Sequence, residues 1–211
     1  TVKYRSGAAW GNNDYGQCDV PADLTNALSM AAGSEFALAV RADGTVVVWG
    51  RNEEGLLDVP AGASNALAVA AGNYHCLALR RDGTVVAWGD NGSGQCNVPG
   101  LVNVVAIAAG GNHNLALLAD GTVVAWGENG SGQCRVPAGL VDVVAIAAGE
   151  SYSLALRADG TVAAWGDDNN GQCTGANALT DMVAIAAGSQ HSLALRADGT
   201  VVARGNNNHG K

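Results

Sequence analysis

Apolar and polar positions alternate along most of the chain in runs of five or six residues, broken by glycine, asparagine or aspartate. This is the pattern of short strands joined by tight turns. The stretch Leu77–Trp88 (LALRRDGTVVAW) recurs at Leu38–Trp49, Leu115–Trp126 and Leu154–Trp165, and again from Leu193 with Arg204 in place of the tryptophan. Its Asp-Gly pairs begin at Asp43, Asp82, Asp120, Asp159 and Asp198, so the unit repeats every 38 or 39 residues. Upstream of it lies a second apolar run, cleanest as VVAIAA at Val104–Ala109 and Val143–Ala148. Simple alternation puts Val105, Ile107 and Ala109 on one face and Val104, Ala106 and Ala108 on the other. Neither face is polar, so this strand is expected to be buried on both sides.

Each unit therefore reads as four strands, which in the second copy are the Ala-rich run, HCLALR, GTVVAW and a weaker edge strand GQCNVP. The Asp-Gly pair predicts a primed hairpin turn, because glycine takes positive φ without a Cβ clash. No segment shows helix caps or a 3.6-residue period. A period near 40 residues built from four antiparallel strands is the signature of a propeller blade. The fold class expected is all-β, a β-propeller of four-stranded antiparallel blades with about five repeats. Small residues on the innermost strand suit the narrow axis, and the bulky Trp10, Trp49, Trp88, Trp126 and Trp165 suit the wider gaps between blades.

One domain, 1–211, is expected: a degenerate partial repeat 1–25, repeats 26–64, 65–102, 103–141 and 142–180, and a last partial repeat 181–211. A closed five-bladed ring is favoured, with Gly16–Pro21 completing the blade begun by Val183–Arg204. An incomplete larger propeller, open to oligomerisation, is the alternative.

Composition narrows the function. The 211 residues are 48% hydrophobic and 14% charged with 30 glycines, enough to bury a core. A formal net charge of −8 argues against a surface that neutralises phosphates, so neither nucleic acid nor an anionic membrane is an expected partner. No apolar run approaches the roughly 20 residues of a membrane span. The expected chain is soluble, cytoplasmic or a secreted mature form, and its start at Thr1 reads as processed or excised. Cys18, Cys96, Cys134 and Cys173 share one repeat position and Cys76 stands apart. Equivalent positions on packed sheets lie about 10 Å apart, beyond disulfide reach, so free thiols are expected.

The pattern AAG-x-x-H-x-L-A-L…DG-x-V-x-x-WG-x-N-x-x-GQ resembles the regulator of chromosome condensation repeat, and the resemblance runs from Trp10 to Gly210. It implies a β-propeller module, commonly of seven blades. The short units, with VP after GQ, are most similar to bacterial members, which include a secreted β-lactamase inhibitor protein. In such relatives the loop after AAG carries aromatic anchors for a protein partner. The matching positions here hold Glu35, Tyr74, Asn112, Ser151 and Gln190, and only Tyr74 is aromatic, which argues against β-lactamase inhibition.

The remaining motifs offer little chemistry. Phe36, His75, His113, Tyr152 and His191 share one address. Side chains based about 10 Å apart do not converge on one metal, so a structural role, with ring nitrogens bonded to backbone, is expected. The loops GDNGSG, GENGSG and GDDNNG lack the frame of a calcium loop and read as turns. No nucleophile elbow, phosphate loop or zinc-protease motif occurs, so no enzymatic activity and no cofactor or metal is expected. The expected function is a non-enzymatic binding scaffold for an as yet unidentified protein partner, using Glu35, Tyr74, Asn112, Glu150, Ser151 and Gln190. A second set, Tyr15, Glu53, Glu54 and Asp168, is assigned to the opposite face. The alternatives are a carbohydrate or small-ligand propeller with one shallow site per blade and, from the family resemblance alone, guanine-nucleotide exchange.

Overall fold

A computed structural model describes residues 8–208. The chain forms five three-stranded antiparallel sheets in sequence order. They are β1 (Ala27–Ala32), β2 (Phe36–Arg41) and β3 (Val46–Gly50); β4 (Ala66–Ala71), β5 (His75–Arg80) and β6 (Val85–Gly89); β7 (Val104–Ala109), β8 (His113–Leu118) and β9 (Val123–Gly127); β10 (Val143–Ala148), β11 (Tyr152–Arg157) and β12 (Val162–Gly166); β13 (Met182–Ala187), β14 (His191–Arg196) and β15 (Val201–Gly205). A one-turn helix, α1 (Thr174–Asn177), follows the fourth sheet. The first strands of successive sheets pack on one another, β1 on β4, β4 on β7, β7 on β10 and β10 on β13, and so surround the axis.

The expected fourth strand is absent from every described unit, because its backbone is held elsewhere. In the second unit Gln95 Nε2 donates to Asp90 Oδ2 and Gln95 Oε1 accepts from Ser93 N, while Asn91 Oδ1 accepts from Cys96 N. Such local side-chain bonds compete with a β-ladder and fold GQC into consecutive turns. The loop instead ties sheets together. The Trp126 Nε1 donates to Gln95 O across 3.0 Å and Trp165 Nε1 to Gln133 O across 2.8 Å, each carbonyl lying in the preceding unit. At the far end of the sheets the Asp-Gly hairpin clasps the next unit, as in Val104 N to Gly83 O and Val143 N to Gly121 O.

Two local expectations are corrected. Every inner strand in the described units carries a β-bulge, in the third between Val104 and Ala106. The extra residue shifts the alternation. Val104 therefore joins Ile107 and Ala109 in the core against the second sheet, while Val105 is turned out to solvent. The hairpins are not primed two-residue turns either. Gly83 N donates to Arg80 O and Arg80 N to Thr84 O, with only the glycine at positive φ, which is a three-residue loop with a glycine bulge.

Among the described residues the ring does not close. No packing like that between β10 and β13 joins β13 to β1. The segment expected to complete the last blade, Gly16–Pro21, lies on the first sheet, where Gln17 O accepts the Trp49 Nε1 proton at 3.0 Å. Trp10 differs from the later tryptophans: residues 8–26 contain no strand for it to pack between, and it is 87% exposed against 7% for Trp88.

Candidate functional site

The antiparallel register decides which residues share a surface. Each second strand leaves the end where AAG turns, and each third strand returns to it, so that Phe36 pairs with Gly50 and His75 with Gly89. The loop after Trp-Gly therefore stands beside the loop after AAG. Arg51 N donates to Glu35 O, Asp90 N to Tyr74 O, Glu128 N to Asn112 O, Asp167 N to Ser151 O and Asn206 N to Gln190 O, all between 2.8 and 3.0 Å. The two residue sets assigned from sequence to opposite faces thus lie at one end. Arg51 pairs with both Glu35 and Glu53 and lies 4.9 Å from the Tyr15 ring centroid, joining members of both sets directly. Strand direction, which the loop sequences do not carry, is the reason for this correction.

The AAG turns form the axial mouth. Ser34, Asn73, Gly111, Glu150 and Ser189 line a depression of about 470 Å³ with the Ala-Gly residues before them. A backbone spiral joins the turns, Asn73 N to Gly111 O, Gly111 N to Glu150 O and Glu150 N to Ser189 O. The close approach demands glycine: a Cβ on Gly110 would lie 2.4 Å from Gly149 O and 2.3 Å from the His113 ring. Glu150 faces this mouth and accepts a hydrogen bond from Ser189 Oγ, one position nearer the axis than the row of Glu35, Tyr74, Asn112, Ser151 and Gln190. Within that row Asn112 Nδ2 donates to Glu128 Oε2 and Gln190 Oε1 accepts from Asn206 Nδ2. Tyr74 is 36% exposed. Asp168 is exposed but bound to its own loop, accepting Cys173 N, Thr174 N and Thr174 Oγ1.

Beneath this surface the rings of Phe36, His75, His113 and Tyr152 are buried, while His191 is half-buried. The imidazole partner is a side chain of the next unit, not the backbone. His75 Nε2 donates to Asn114 Oδ1 at 2.7 Å, and Asn114 is oriented by its own bond to Gln95 O. His113 Nε2 donates to Ser153 Oγ at 3.0 Å, whose proton goes on to Gln133 O. Both protons of this Ser–His pair are committed to a relay that ends on a backbone carbonyl. Only Tyr152 reaches the backbone, at Gly188 O and His191 O. Burial holds the His75 and His113 rings in the neutral form, the latter pushed down to about 4 with a further contribution from His75.

All five cysteines are free. Burial and the carboxylate of Asp90 push the Cys96 thiol up to about 11, and burial with Glu128 does the same for Cys134. Thiols so raised are poor nucleophiles at neutral pH. The asparagines of the turn loops are also engaged: Asn91 Oδ1 and Asn129 Oδ1 accept from Cys96 N and Cys134 N, so these acceptors serve the loop instead of a sugar hydroxyl.

Residues missed from sequence lie at the opposite, hairpin end. The bulge turns out Leu28, Leu67, Val105, Val144 and Val183, each between 45% and 56% exposed. An irregular spacing of paired residues, not visible in an all-apolar run, is what exposes them.

Sheets of antiparallel strands set around an axis, with loops gathered at one end and held sheet to sheet by buried tryptophans, define a β-propeller-type repeat protein. The regulator of chromosome condensation (RCC1) repeat matches at residues 28–56, 67–95, 104–133, 143–172 and 182–211, more than half of the sequence, and the chain belongs to that family. Among solved structures it is similar to Prp20p of Saccharomyces cerevisiae, with 26% identity and a TM-score of 0.75 over 89% of this chain and 59% of that one. It also resembles yeast RCC1 (Prp20) in complex with Kap60, with 25% identity and a TM-score of 0.73 over 94% and 65%. The ectodomain of the Physcomitrella patens receptor kinase CR4 shares the fold at 24% identity, with a TM-score of 0.79 over 97% and 57%. The chain thus spans less than two thirds of these relatives. No curated protein sequence matches it. Among the described residues, no helix is long and apolar enough to cross a membrane.

Proposed function

We propose that the chain is a non-enzymatic protein-binding module whose partner docks on the AAG end. The observation that carries this reading is the row Glu35, Tyr74, Asn112, Ser151 and Gln190. Each member is held at the same address by a backbone bond between neighbouring loops, while its chemistry changes from unit to unit. A fixed frame with varied tips is the arrangement of a recognition surface. The similarity to Prp20p, whose binding to Gsp1p and histones is recorded, and to yeast RCC1 bound by Kap60, supports protein as the partner class.

A second reading places the partner at the hairpin end, favoured by the exposed aliphatic set of Leu28, Leu67, Val105, Val144 and Val183. Partners captured from an extract of the source cells distinguish the two. Tyr74→Ala with Glu128→Lys is expected to weaken binding at least about tenfold, as loss of an aromatic anchor and a reversed rim charge would. The variant Val144→Asp is expected to leave it unchanged. The opposite result moves the site to the hairpin end, and indifference to both substitutions overturns the AAG-end reading.

A further inference from the structure

The loops of the second and third units contain the same run of residues, NGSGQC, at Asn91–Cys96 and Asn129–Cys134. An asparagine followed by glycine is open to attack by the next backbone nitrogen on its side-chain amide carbon, since glycine has no Cβ to obstruct the approach. Local sequence therefore gives the two asparagines the same chemistry.

The fold does not. In the second unit both reacting groups are bound: Gly92 N donates to Asp90 Oδ1 at 2.9 Å, and Asn91 Nδ2 donates to Asn97 Oδ1 at 3.0 Å. In the third unit Glu128 stands at the position of Asp90 and Arg135 at that of Asn97. The longer Glu128 side chain carries its carboxylate to Asn112 Nδ2, and an arginine side chain has no acceptor to offer. Among the described residues Gly130 N and Asn129 Nδ2 have no hydrogen-bond partner, and both residues are exposed. Gln133 Nε2 reflects the same displacement. It is buried and unpartnered, whereas Gln95 Nε2 donates to Asp90 Oδ2 at 2.8 Å. The bond that the two copies share favours reaction: Asn129 Oδ1 accepts Cys134 N at 3.0 Å, so a donor already sits on the oxygen that becomes negative when the amide carbon is attacked. In a further Asn-Gly pair, Asn170 and Gly171, the attacking N–H is committed to Asp168 O at 2.9 Å.

We infer that Asn129 is a site of spontaneous deamidation, distinguished from its twin Asn91 by the fold and not by local sequence. Gly130 N gives its proton to solvent base and attacks Asn129 Cγ. The new N–C bond closes a succinimide as the Cγ–Nδ2 bond breaks and Nδ2, taking up a proton, leaves as ammonia. Water then opens the ring at either carbonyl, which returns a proton to Gly130 N and leaves aspartate or isoaspartate. The aspartate product preserves the loop, since Asp168 at the same position accepts Cys173 N at 2.7 Å. The isoaspartate product routes the main chain through Cβ and Cγ, inserting one carbon into the loop that presents Gln133 O to Trp165 Nε1 and Ser153 Oγ. Deamidation thus acts on the boundary between the third and fourth sheets.

The 211-residue chain, incubated folded at mildly alkaline pH, is tested by peptide mass spectrometry with fragmentation, which reads the exchange of amide for acid at each asparagine. Asn129 is expected to react at least about tenfold faster than Asn91, because two hydrogen bonds must break before Asn91 can react. In concentrated urea, where only the shared sequence acts, the two rates are expected to converge. Two exchanges between the loops assign the cause, with far-UV circular dichroism checking that each variant is folded. Glu128→Asp with Arg135→Asn is expected to slow Asn129 to the rate of Asn91, and Asp90→Glu with Asn97→Arg to raise Asn91 to that of Asn129. Equal rates in the folded chain overturn the inference. So does a difference that persists in urea, or exchanges that leave both rates unchanged.

Discussion

His113 shows how one side chain links the axial turns to stability. Its ring lies against Gly110, and its Nε2 proton is held by Ser153 of the next unit. Burial is the larger reason that its pKa falls from 6.5 to about 4, and His75 adds to it. The folded chain therefore favours the neutral ring, while the unfolded chain takes up a proton below about pH 6.5. The associated stability is complete above that pH and is lost as pH falls toward 4, by up to roughly 3 kcal/mol for this residue. Urea unfolding midpoints measured between pH 7.5 and 4.5 are expected to fall on acidification. The variant His113→Tyr, which copies the solution used at Tyr152, is expected to flatten that dependence. The hairpin aspartates act in a lower window. Thr84 lowers the pKa of Asp82 through its hydroxyl and its backbone N–H, so that contribution disappears only as pH falls below the ordinary carboxylate value of 3.8.

At the scale of the element, the unit is a three-stranded sheet plus a loop that belongs energetically to its neighbour. Gln95 O accepts both Trp126 Nε1 and Asn114 Nδ2, and Gln133 O accepts both Trp165 Nε1 and Ser153 Oγ. The last unit keeps half of this arrangement: Gln172 O accepts Ser192 Oγ, and Arg204 stands where the tryptophan donor would be. Arg204→Trp is therefore expected to stabilise the chain by about 1–2 kcal/mol, from one added hydrogen bond and the apolar area of the indole. The test is the denaturant midpoint with unchanged slope, and a midpoint that does not rise contradicts this account of the loop. In the fourth sheet Asn177 of α1 donates to Ala164 O and accepts from Ala164 N. A side-chain amide thus takes the place of an edge-strand partner.

At the scale of the whole molecule, stability is a sum over sheets and the boundaries between them. Among the described residues each of the three inner sheets packs between two others, and the first and last pack on one. Native-state hydrogen exchange is expected to be slowest in β7–β9 and fastest in β13–β15, where the tryptophan bond is also missing, with β1–β3 between them. Uniform protection across all five sheets would show that the arc opens as a single cooperative unit.

The repeat period, the strand-rich class, the Asp-Gly hairpins and the buried tryptophan position were legible from sequence, because each depends on local spacing and on residue types whose preferences act over a few bonds. Tyr74 and its row were legible as the variable members of a constant motif. Four features were not. The fourth strand failed to form because Gln95, Asp90 and Asn91 bind the loop backbone, and Val105 was misplaced because a bulge leaves no mark in an all-apolar run. The joining of Glu35 with Tyr15 and Glu53 at one end depended on strand direction, and the open arc on which sheets find a neighbour. The sequence by itself determined the length of the repeat and where its hairpins fall. Only the tertiary structure decided which loops meet and which faces stay uncovered, because both depend on packing between units that a single repeat does not contain.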